Sequence, residues 1–341
     1  MTRAPSFAVV PGEQVAGVLH GREKQVTDVV AAAYRLHGEG RTVNPDSYFL
    51  RFPDRPSARI IALPASVGEP VDVHGVKWIS SFPENVAAGL PRASAVLILN
   101  DTATGYPVAC LESSIISAAR TAASAALAAT TLAAARGVTP RRAGFVGVGL
   151  IARYVHTYLA ANGLSFDEVG VFDLVREHAE GFQGYLEGAG AGSVTIHDSA
   201  ESLVAESDLV VLATVAGEPH LHAPELLAHN PLVLHVSLRD LSPEIILASC
   251  NIVDDVEHCL KAGTSPHLAE QRVGNRSFVA GTLYDVMEGR VVPPAARPVV
   301  FSPFGLGVLD LAVASYVHDE VAASGDLMTV PGFFHEMKRY G

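Results

Sequence analysis

The chain has 341 residues, of which 49% are hydrophobic and 18% charged, and its formal net charge is -12. A chain of this length usually exceeds one hydrophobic core, so we expect two globular domains. The negative charge disfavours nucleic acids and anionic membranes as partners, because both would repel the protein. The 3 cysteines are widely separated and favour neither disulfide bonds nor a zinc site. This pattern predicts a protein of the reducing cytoplasm that holds no metal.

Two segments bear on membrane targeting. The first residues, MTRAPSFAVVPGEQ, lack the long apolar core and the small-residue cleavage site of a signal peptide. The longest weakly polar stretch, residues 115–135, consists mostly of Ala, Ser and Thr and contains Arg120. A packed helix of a soluble protein therefore fits this stretch better than a membrane span.

The first third of the chain predicts an α+β domain. Apolar residues recur at helical spacing over residues 13–37, which indicates one or two amphipathic helices. A helix is also expected from Ser113 or Ser114 to about Arg136, with Gly137 at its end. Between these helices, short β-rich runs separated by Pro and Gly predict a mixed or antiparallel sheet, with strands at 48–52, 59–63, 73–80, 95–100 and 106–111.

The middle of the chain predicts a doubly wound α/β domain. Residues 143–173 have the order strand, glycine turn, helix, strand and acid. Apolar and helical runs then alternate to about residue 254, which gives about six strands separated by helices. This alternation is typical of a parallel sheet of the Rossmann type. After residue 255 the pattern weakens, and we expect a short strand at 299–301 and a helix at 308–323.

The glycine turn has the features of a dinucleotide site. Gly147 permits a tight bend, Gly149 lets the backbone approach a pyrophosphate, and Ala152 lets the helix lie close to the strand. Asp173 would bind the ribose hydroxyls and repel a 2′-phosphate, which favours NAD over NADP, although Arg176 weakens that preference. The alternative is an ordinary, tightly packed turn between strand and helix. The predicted cofactor-binding residues are Gly147, Gly149, Leu150, Ile151, Ala152, Asp173 and Thr214.

Two cations interrupt runs that are otherwise fit for burial. Lys77 lies in an apolar strand, and Arg120 lies in the Ala-rich helix. Each alone would usually be a solvent-facing cation with an apolar stem. If both are buried they need an anion, such as a substrate carboxylate.

Asp240 follows a run that reads as a buried strand. The carboxyl ends of parallel strands face the ligand crevice, so Asp240 could act on protons near a nicotinamide. A helix cap or a turn acid is an equally good interpretation from the sequence alone. His220 and His222 form a close pair, but nothing nearby completes a metal site, so they are interpreted as loop residues.

Together these motifs resemble the ornithine cyclodeaminase/mu-crystallin family along nearly the whole chain. The closest resemblance within the family is to the dehydrogenases of 2,3-diaminopropionate biosynthesis, carried by KWISSFPEN at 77–85 and HVSLRDLSP at 235–243. The motifs that carry the family resemblance are Gly75-Val76-Lys77-Trp78, Thr104-Gly105-Tyr106-Pro107, SAARTAAS at 117–124, the glycine turn and Asp240.

The resemblance implies an architecture and a set of roles. Residues 1–119 and 302–341 would form a substrate-binding and dimerisation domain of a homodimer, and residues 120–301 an NAD-binding Rossmann domain. Lys77 and Arg120 would hold the amino-acid carboxylate with help from Arg41, and Asp240 would serve the proton and water steps.

One departure from the family pattern bears on the substrate. Ornithine cyclodeaminases place a glutamate in the strand after the arginine that Arg41 matches, whereas this chain has Phe49-Leu50-Arg51-Phe52. Arg51 suits a second carboxylate better than the terminal amine of ornithine.

The reaction that the resemblance implies is NAD-dependent oxidation of N-(2-amino-2-carboxyethyl)-L-glutamate. Hydrolysis of the imine would give 2-oxoglutarate and 2,3-diaminopropionate, for siderophore or antibiotic biosynthesis. Alternatives with the same fold and cofactor are an ornithine cyclodeaminase, which Arg51 disfavours, an imine reductase and an alanine dehydrogenase. A non-catalytic ligand-binding protein of the mu-crystallin kind is an alternative of another class, and the presence of Lys77, Arg120 and Asp240 favours catalysis over it.

Overall fold

Two eight-stranded sheets organise the computed structural model, which describes residues 6–335 and 337. The contacts divide the chain into two units, one of Met1–Arg120 with Leu306–Gly341 and the other of Thr121–Gly305. The first unit is thus built from both ends of the chain, and the second from its middle.

The strands and helices are numbered in chain order. The strands are β1 (Ala8–Val10), β2 (Thr42–Val43), β3 (Tyr48–Phe52), β4 (Arg55–Val67), β5 (Val73–Ser81), β6 (Ala93–Asn100), β7 (Pro107–Glu112), β8 (Arg142–Val146), β9 (Glu168–Phe172), β10 (Ser193–Ile196), β11 (Leu209–Leu212), β12 (Leu232–His235), β13 (Cys250–Val253), β14 (Val279–Thr282), β15 (Val299–Ser302) and β16 (Met328–Thr329). The helices are α1 (Gly12–Leu19), α2 (Glu23–Gly38), α3 (Ser114–Arg136), α4 (Leu150–Ala161), α5 (Arg176–Gly188), α6 (Ala200–Glu206), α7 (Pro243–Ala248), α8 (Val256–Cys259), α9 (Ser265–Val273), α10 (Leu283–Met287) and α11 (Gly307–Ser324).

The sheet of the first unit is mixed. Its order is β16-β1-β7-β6-β5-β4-β2 with β3 paired to β4, and within the described part of the chain β1 and β7 form its one parallel pair. Helix α11 packs on β4, β5 and β6. Gly75 is required for this approach, because a Cβ there would lie 2.2 Å from the Ile98 carbonyl oxygen and 2.8 Å from Leu311. The glycine that precedes Lys77 therefore lets α11 come close to the strand.

Strand β4 extends beyond the predicted residues 59–63 even though it contains Pro64. A proline lacks the backbone N–H that another residue would donate to a neighbouring strand, so it normally interrupts a central strand. Here the pairing with β3 ends at Ala62 and the pairing with β2 begins at Ser66. Pro64 lies at the gap between those two partners, where no ladder on that side needs its missing N–H.

The second unit has a parallel sheet of order β10-β9-β8-β11-β12-β15-β13-β14. The first five strands in that order have the doubly wound arrangement, and the order reverses between β8 and β11. The predicted fold class, a Rossmann sheet plus an α+β domain, is confirmed. The sequence prediction missed β14, a short and partly exposed edge strand that includes Gly281.

Helix α3 is long and apolar enough to pass a test for membrane spans, with a mean hydropathy of 1.3. Of the 18-residue stretch of α3 that meets this test, 67% is buried inside the protein. The alanines Ala119, Ala122 and Ala126 are fully buried. Burial by protein gives the apolar residues their environment, as expected for a packed core helix. No other helix among the described residues meets the same test.

Candidate active site

Lys77 and Arg120 meet at a carboxylate that the sequence analysis did not single out. In the first unit, Lys77 Nζ lies 2.6 Å from Asp310 Oδ2, and Arg120 Nε lies 3.0 Å from Asp310 Oδ1. Strand β5 points Lys77 toward α11, and Asp310 lies in the first turn of that helix. The Lys77 and Asp310 side chains are 2% and 0% exposed. Both predicted cations are therefore turned inward, which excludes the solvent-facing interpretation.

The charge of this cluster sets what it can bind. With Lys77 protonated, two cations share one carboxylate, and one positive charge is left over. Burial lowers the pKa of Lys77 to about 8, although the charge of Asp310 raises it and that of Arg120 opposes the rise. Lys77 also donates to Ser117 Oγ at 3.3 Å. The cluster is suited to an anionic ligand, and its charge changes within an accessible pH range.

The other two predicted substrate residues do not join the Asp310 cluster. Arg41 lies 3.6 Å from Glu39 and donates to the Glu69 carbonyl oxygen. Arg51 lies over the Phe49 ring, with 5.0 Å between the guanidinium carbon and the ring centroid. In the part of the chain that the structure describes, neither arginine forms an ion pair with Asp310.

The sheet register nevertheless relates Arg51 to Lys77. Arg51 lies opposite Arg59 of β4, which lies opposite Ser81 of β5. Ser81 is four residues beyond Lys77, and side chains an even number of residues apart lie on one face of a strand. Arg51 and Lys77 are thus on the same face of the sheet.

The glycine turn joins β8 to α4 with the geometry that a dinucleotide site needs. Gly147 has a φ of +78°, and a Cβ there would lie 2.9 Å from the backbone of Ala213 and Thr214. A Cβ on Gly149 would meet open space, which leaves room for a ligand beside the backbone. Ala152 is fully buried, whereas Leu150 is exposed at the first turn of the helix. The first N–H groups of a helix have no partner within it, so this turn can bind phosphate.

Asp173 lies beside the glycine turn. Its Oδ2 accepts the Val148 N–H at 3.1 Å, and its Oδ1 accepts the Val175 N–H at 3.0 Å. Each oxygen keeps acceptor capacity for a ribose hydroxyl. Arg176, which weakened the preference for NAD, pairs with Glu180 at 3.2 Å. The residues present therefore fit an adenosine ribose without a 2′-phosphate.

Asp240 is buried at the carboxyl end of β12 and accepts hydrogen bonds on both oxygens. Oδ1 accepts the Thr214 hydroxyl and lies 3.0 Å from His220 Nε2. Oδ2 accepts the Ser237 hydroxyl and lies 3.3 Å from His235 Nε2. The helix-cap interpretation does not hold, because Ser242 is the residue that caps α7.

The hydrogen bonds decide the charge state of Asp240. Burial alone raises its pKa, but the hydrogen bonds from His220 and Ser237, with the His235 ring 3.3 Å from Oδ2, outweigh burial and hold that pKa far below its usual range. Hydrogen bonds to the charged form of a carboxylate favour that form. Asp240 is therefore an ionised carboxylate in a buried, largely uncharged environment.

Asp310 and His220 are the two site residues that sequence reasoning missed. Asp310 is a lone acid in the otherwise apolar run GVLDLAVA at the start of α11, the same signal that singled out Lys77 and Arg120. His220 lies in a loop as expected, but its ring contacts Asp240, which is 20 residues away in the chain. Within the described part of the chain, no group of His, Cys, Asp and Glu side chains could hold a metal ion.

Comparisons with known proteins extend over almost the whole chain. The family profile for the ornithine cyclodeaminase/mu-crystallin family matches residues 13–325. The N-((2S)-2-amino-2-carboxyethyl)-L-glutamate dehydrogenase of Staphylococcus aureus is 26% identical over 317 residues, which cover 88% of this chain and 91% of that protein.

Solved structures with the same fold have similar coverage. The crystal structure of CmnK is 29% identical with a TM-score of 0.87, covering 97% of this chain and 100% of that one. An archaeal alanine dehydrogenase dimer with bound NAD is 25% identical with a TM-score of 0.85, covering 96% of this chain and 100% of that one. The resemblance inferred from the sequence is thereby confirmed: this chain belongs to the ornithine cyclodeaminase/mu-crystallin family.

Proposed function

We propose that the chain is an NAD-dependent oxidoreductase that oxidises a C–N bond of N-(2-amino-2-carboxyethyl)-L-glutamate. Hydrolysis of the imine then releases 2-oxoglutarate and 2,3-diaminopropionate. The observation that carries the proposal is the pair of buried cations on Asp310, because their surplus positive charge suits a substrate carboxylate. The Staphylococcus aureus relative, whose name states this substrate, supports the same choice.

The cofactor is NAD, which supplies the hydride acceptor when it is bound. The N–H groups of Leu150 and Ile151, in the first turn of α4, would hold the pyrophosphate beside Gly149. Asp173 would accept hydrogen bonds from the adenosine ribose, and Thr214 follows β11 on the cofactor side of the sheet. The alanine dehydrogenase solved with NAD supports this assignment.

Lys77 and Arg120 would hold the carboxylate of the glutamate portion, which fixes the orientation of its Cα–H. Arg51 would receive a second carboxylate, because it lies on the sheet face of Lys77 and is exposed at the end of β3. Arg41 would assist from the start of β2. Lys77 also has a pKa close enough to neutrality to exchange a proton with the substrate amine.

Asp240 would serve the water step that follows oxidation. Its negative charge stabilises a positively charged iminium, and its hydrogen-bonded partners can move protons. An ornithine cyclodeaminase would use the same residues but would recycle NAD internally. An alanine dehydrogenase or an imine reductase would need no second carboxylate site.

A substrate panel separates these activities. Purified enzyme with NAD is given the glutamate adduct, ornithine or alanine, and NADH and 2-oxoglutarate are followed together. We expect equal amounts of NADH and 2-oxoglutarate from the adduct. If the enzyme makes no NADH from the adduct yet converts ornithine, the proposal is wrong, and turnover of none of the three would favour a non-catalytic ligand-binding role.

The proposed enzyme is a homodimer that uses an exposed apolar row of the first sheet. Tyr48, Ala62, Trp78 and Val96 lie opposite one another on four adjacent strands, and Trp78 is 43% exposed. Exposed apolar patches of this kind mark interfaces, and the alanine dehydrogenase relative is a dimer.

Sedimentation tests the interface. The double variant Trp78→Ser with Val96→Ser should run as a monomer, whereas Val292→Ser, which alters a 70% exposed apolar residue of the other unit, should not. A double variant that remains a dimer would place the interface elsewhere.

We also propose that the enzyme works in the cytoplasm and that its product feeds siderophore or antibiotic biosynthesis. All three cysteines are free, and two of them are buried. Free thiols persist in a reducing compartment. Deleting the gene should make the cells require 2,3-diaminopropionate for the product concerned, and normal production without that supplement would contradict this placement.

A further inference from the structure

The carboxylate of Asp240 has little room to accept a further proton donor. An ionised carboxylate has about four acceptor positions. Thr214 and His220 lie at Oδ1 and Ser237 lies at Oδ2, and the Asp240 side chain is 0% exposed, while His235 Nε2 accepts the Asp240 N–H at 3.2 Å. A water or substrate proton would have to displace one of these neighbours before it could reach Asp240.

The chemistry of Asp240 is also poorly suited to a base. Its pKa is far below the usual range, because side chains that include His220 and Ser237 hydrogen-bond the charged form. A general base works best when its pKa lies near the working pH. Asp240 is therefore better suited to orient a neighbour than to take a proton itself.

His220 is the neighbour that Asp240 orients. Its Nε2 lies 3.0 Å from Asp240 Oδ1, and its side chain is 36% exposed. The His220 and Leu221 N–H groups both donate to the Asp240 carbonyl oxygen at 3.0 Å. The loop is fixed further by Ser242, whose N–H donates to the Leu221 carbonyl oxygen at 2.9 Å. Backbone and side-chain contacts together fix the ring against one carboxylate.

The orientation of the ring determines which nitrogen can react. A neutral imidazole has one N–H and one lone pair. Because Nε2 faces a carboxylate that can only accept, Nε2 carries the hydrogen and Nδ1 carries the lone pair. The other imidazole on Asp240, His235, is fully buried, and its Nδ1 lies 3.2 Å from Ser302 Oγ. His220 is therefore the partly exposed base of the pair, and Asp240 fixes its tautomer, as a carboxylate does for a catalytic histidine in hydrolases.

We propose that His220 is the catalytic base of the water step and that Asp240 is its positioning residue. This inference rests on the proposed function. Water attacks the iminium carbon, a C–O bond forms, and one water proton passes to His220 Nδ1. The C–N bond of the carbinolamine then breaks, and the leaving nitrogen takes that proton from His220. The hydroxyl proton is released as the C=O bond of 2-oxoglutarate forms, so the step balances without a further reactant.

The tautomer can be measured without any reaction. In the protein labelled with ¹⁵N-histidine, the His220 signals are the ones that disappear in His220→Gln. We expect an unprotonated Nδ1 and a protonated Nε2 in the neutral ring, and a loss of that preference in Asp240→Asn. A neutral His220 ring protonated on Nδ1 would overturn the proposal, whatever the substrate is.

Rapid kinetics with the glutamate adduct tests the catalytic role. Gln at position 220 can still donate to Asp240 but has no basic nitrogen, so His220→Gln should form NADH in the first turnover as the wild type does. Its release of 2-oxoglutarate should be at least about 10²-fold slower, the usual contribution of a general base. His222→Gln is the matched control, since His222 is exposed two residues away, and it should match the wild type in both steps.

The outcomes separate this inference from the proposed function. If the wild type forms no NADH from the adduct, the proposed function fails, and the tautomer measurement still tests the pair. If the wild type reacts and His220→Gln releases 2-oxoglutarate at the wild-type rate, His220 is not the base. If His220→Gln binds NAD and has the wild-type unfolding midpoint but forms no NADH, the base acts before the water step and the assignment is wrong.

Discussion

Asp310 in the first unit and Asp240 in the second are both fully buried carboxylates, and they have opposite kinds of neighbours. Asp310 lies between two cations, Lys77 and Arg120, so the cluster of the three has a net charge of +1 when Lys77 is protonated. Asp240 lies among hydroxyl groups and imidazole rings, so the cluster of Asp240 with these neighbours has a net charge of -1 when the rings are neutral. One site is suited to bind an anion, and the other to stabilise a cation.

The difference shows how a buried charge is used in each unit. The ion pairs with Asp310 fix the positions of Lys77 and Arg120, and fixed cations are suited to orient a substrate carboxylate. Hydroxyl and imidazole donors can also take protons back, which suits a step in which water is deprotonated. The same residue type is thus suited to support binding in one place and proton transfer in the other, because its neighbours differ.

The largest expected effect is on stability, in Asp310→Asn. This change leaves two buried cations without their carboxylate, and breaking one partner out of a buried ion pair typically costs about 3–5 kcal/mol. We expect the free energy of unfolding to fall by that amount in urea titrations. Asp319→Asn, on the same helix with a side chain that is 75% exposed, should change it by less than about 0.5 kcal/mol. Equal losses in both variants would mean that Asp310 does not balance the two cations.

The next effect is on turnover, in Asp240→Asn. The amide keeps the shape of the carboxylate but removes its charge, so the release of 2-oxoglutarate should fall by about 10²-fold. NAD binding, measured by calorimetry, should be unchanged. The control is Asp167→Asn, because the Asp167 side chain is 68% exposed. Asp167 lies just before β9, at the amino end of that strand, whereas Asp240 lies at the carboxyl end of β12. Wild-type turnover in Asp240→Asn would show that the negative charge is not needed.

Much of the fold could be predicted from the sequence because local signals carry it. The unit from β8 to Asp173 has both its glycine turn and its periodicity in one continuous stretch, and the sheet of the second unit follows from repeats of that pattern. Strand β4 was predicted too short because Pro64 is tolerated only through the gap between β2 and β3. That gap depends on pairings between distant segments, which no local pattern contains.

The sites were predictable to a different extent. Lys77 and Arg120 were found because a cation in an apolar run needs an anion, but that anion is Asp310, 233 residues beyond Lys77. His220 could not be recognised because fourteen histidines occur in the chain and only the fold brings this one to Asp240. Sequence therefore identified the charged groups that need a partner, and the tertiary structure identified the partners.

The smallest expected effect is on the pH dependence of substrate binding, and it arises at the Asp310 cluster through Lys77. As the pH rises through about 8, Lys77 loses its proton and the surplus positive charge of its cluster disappears. The KM for the glutamate adduct should therefore rise by up to about 30-fold between pH 7 and pH 9.5, as expected for a binding group whose pKa is about 8. Lys77→Met should have a high KM with little dependence on pH over the same range.

Stability should change in the opposite direction. The folded pKa of Lys77 is lower than its ordinary value of 10.5, so the unfolded chain binds more protons between about pH 8 and pH 10.5. The contribution of Lys77 to the free energy of unfolding is therefore smallest below pH 8 and rises with pH across that window. Comparing wild type with Lys77→Met removes the titration of all other groups from the difference. Affinity that falls while the stability difference rises would identify Lys77 as the titrating group, whereas a KM that rises equally in Lys77→Met would assign the titration to another residue.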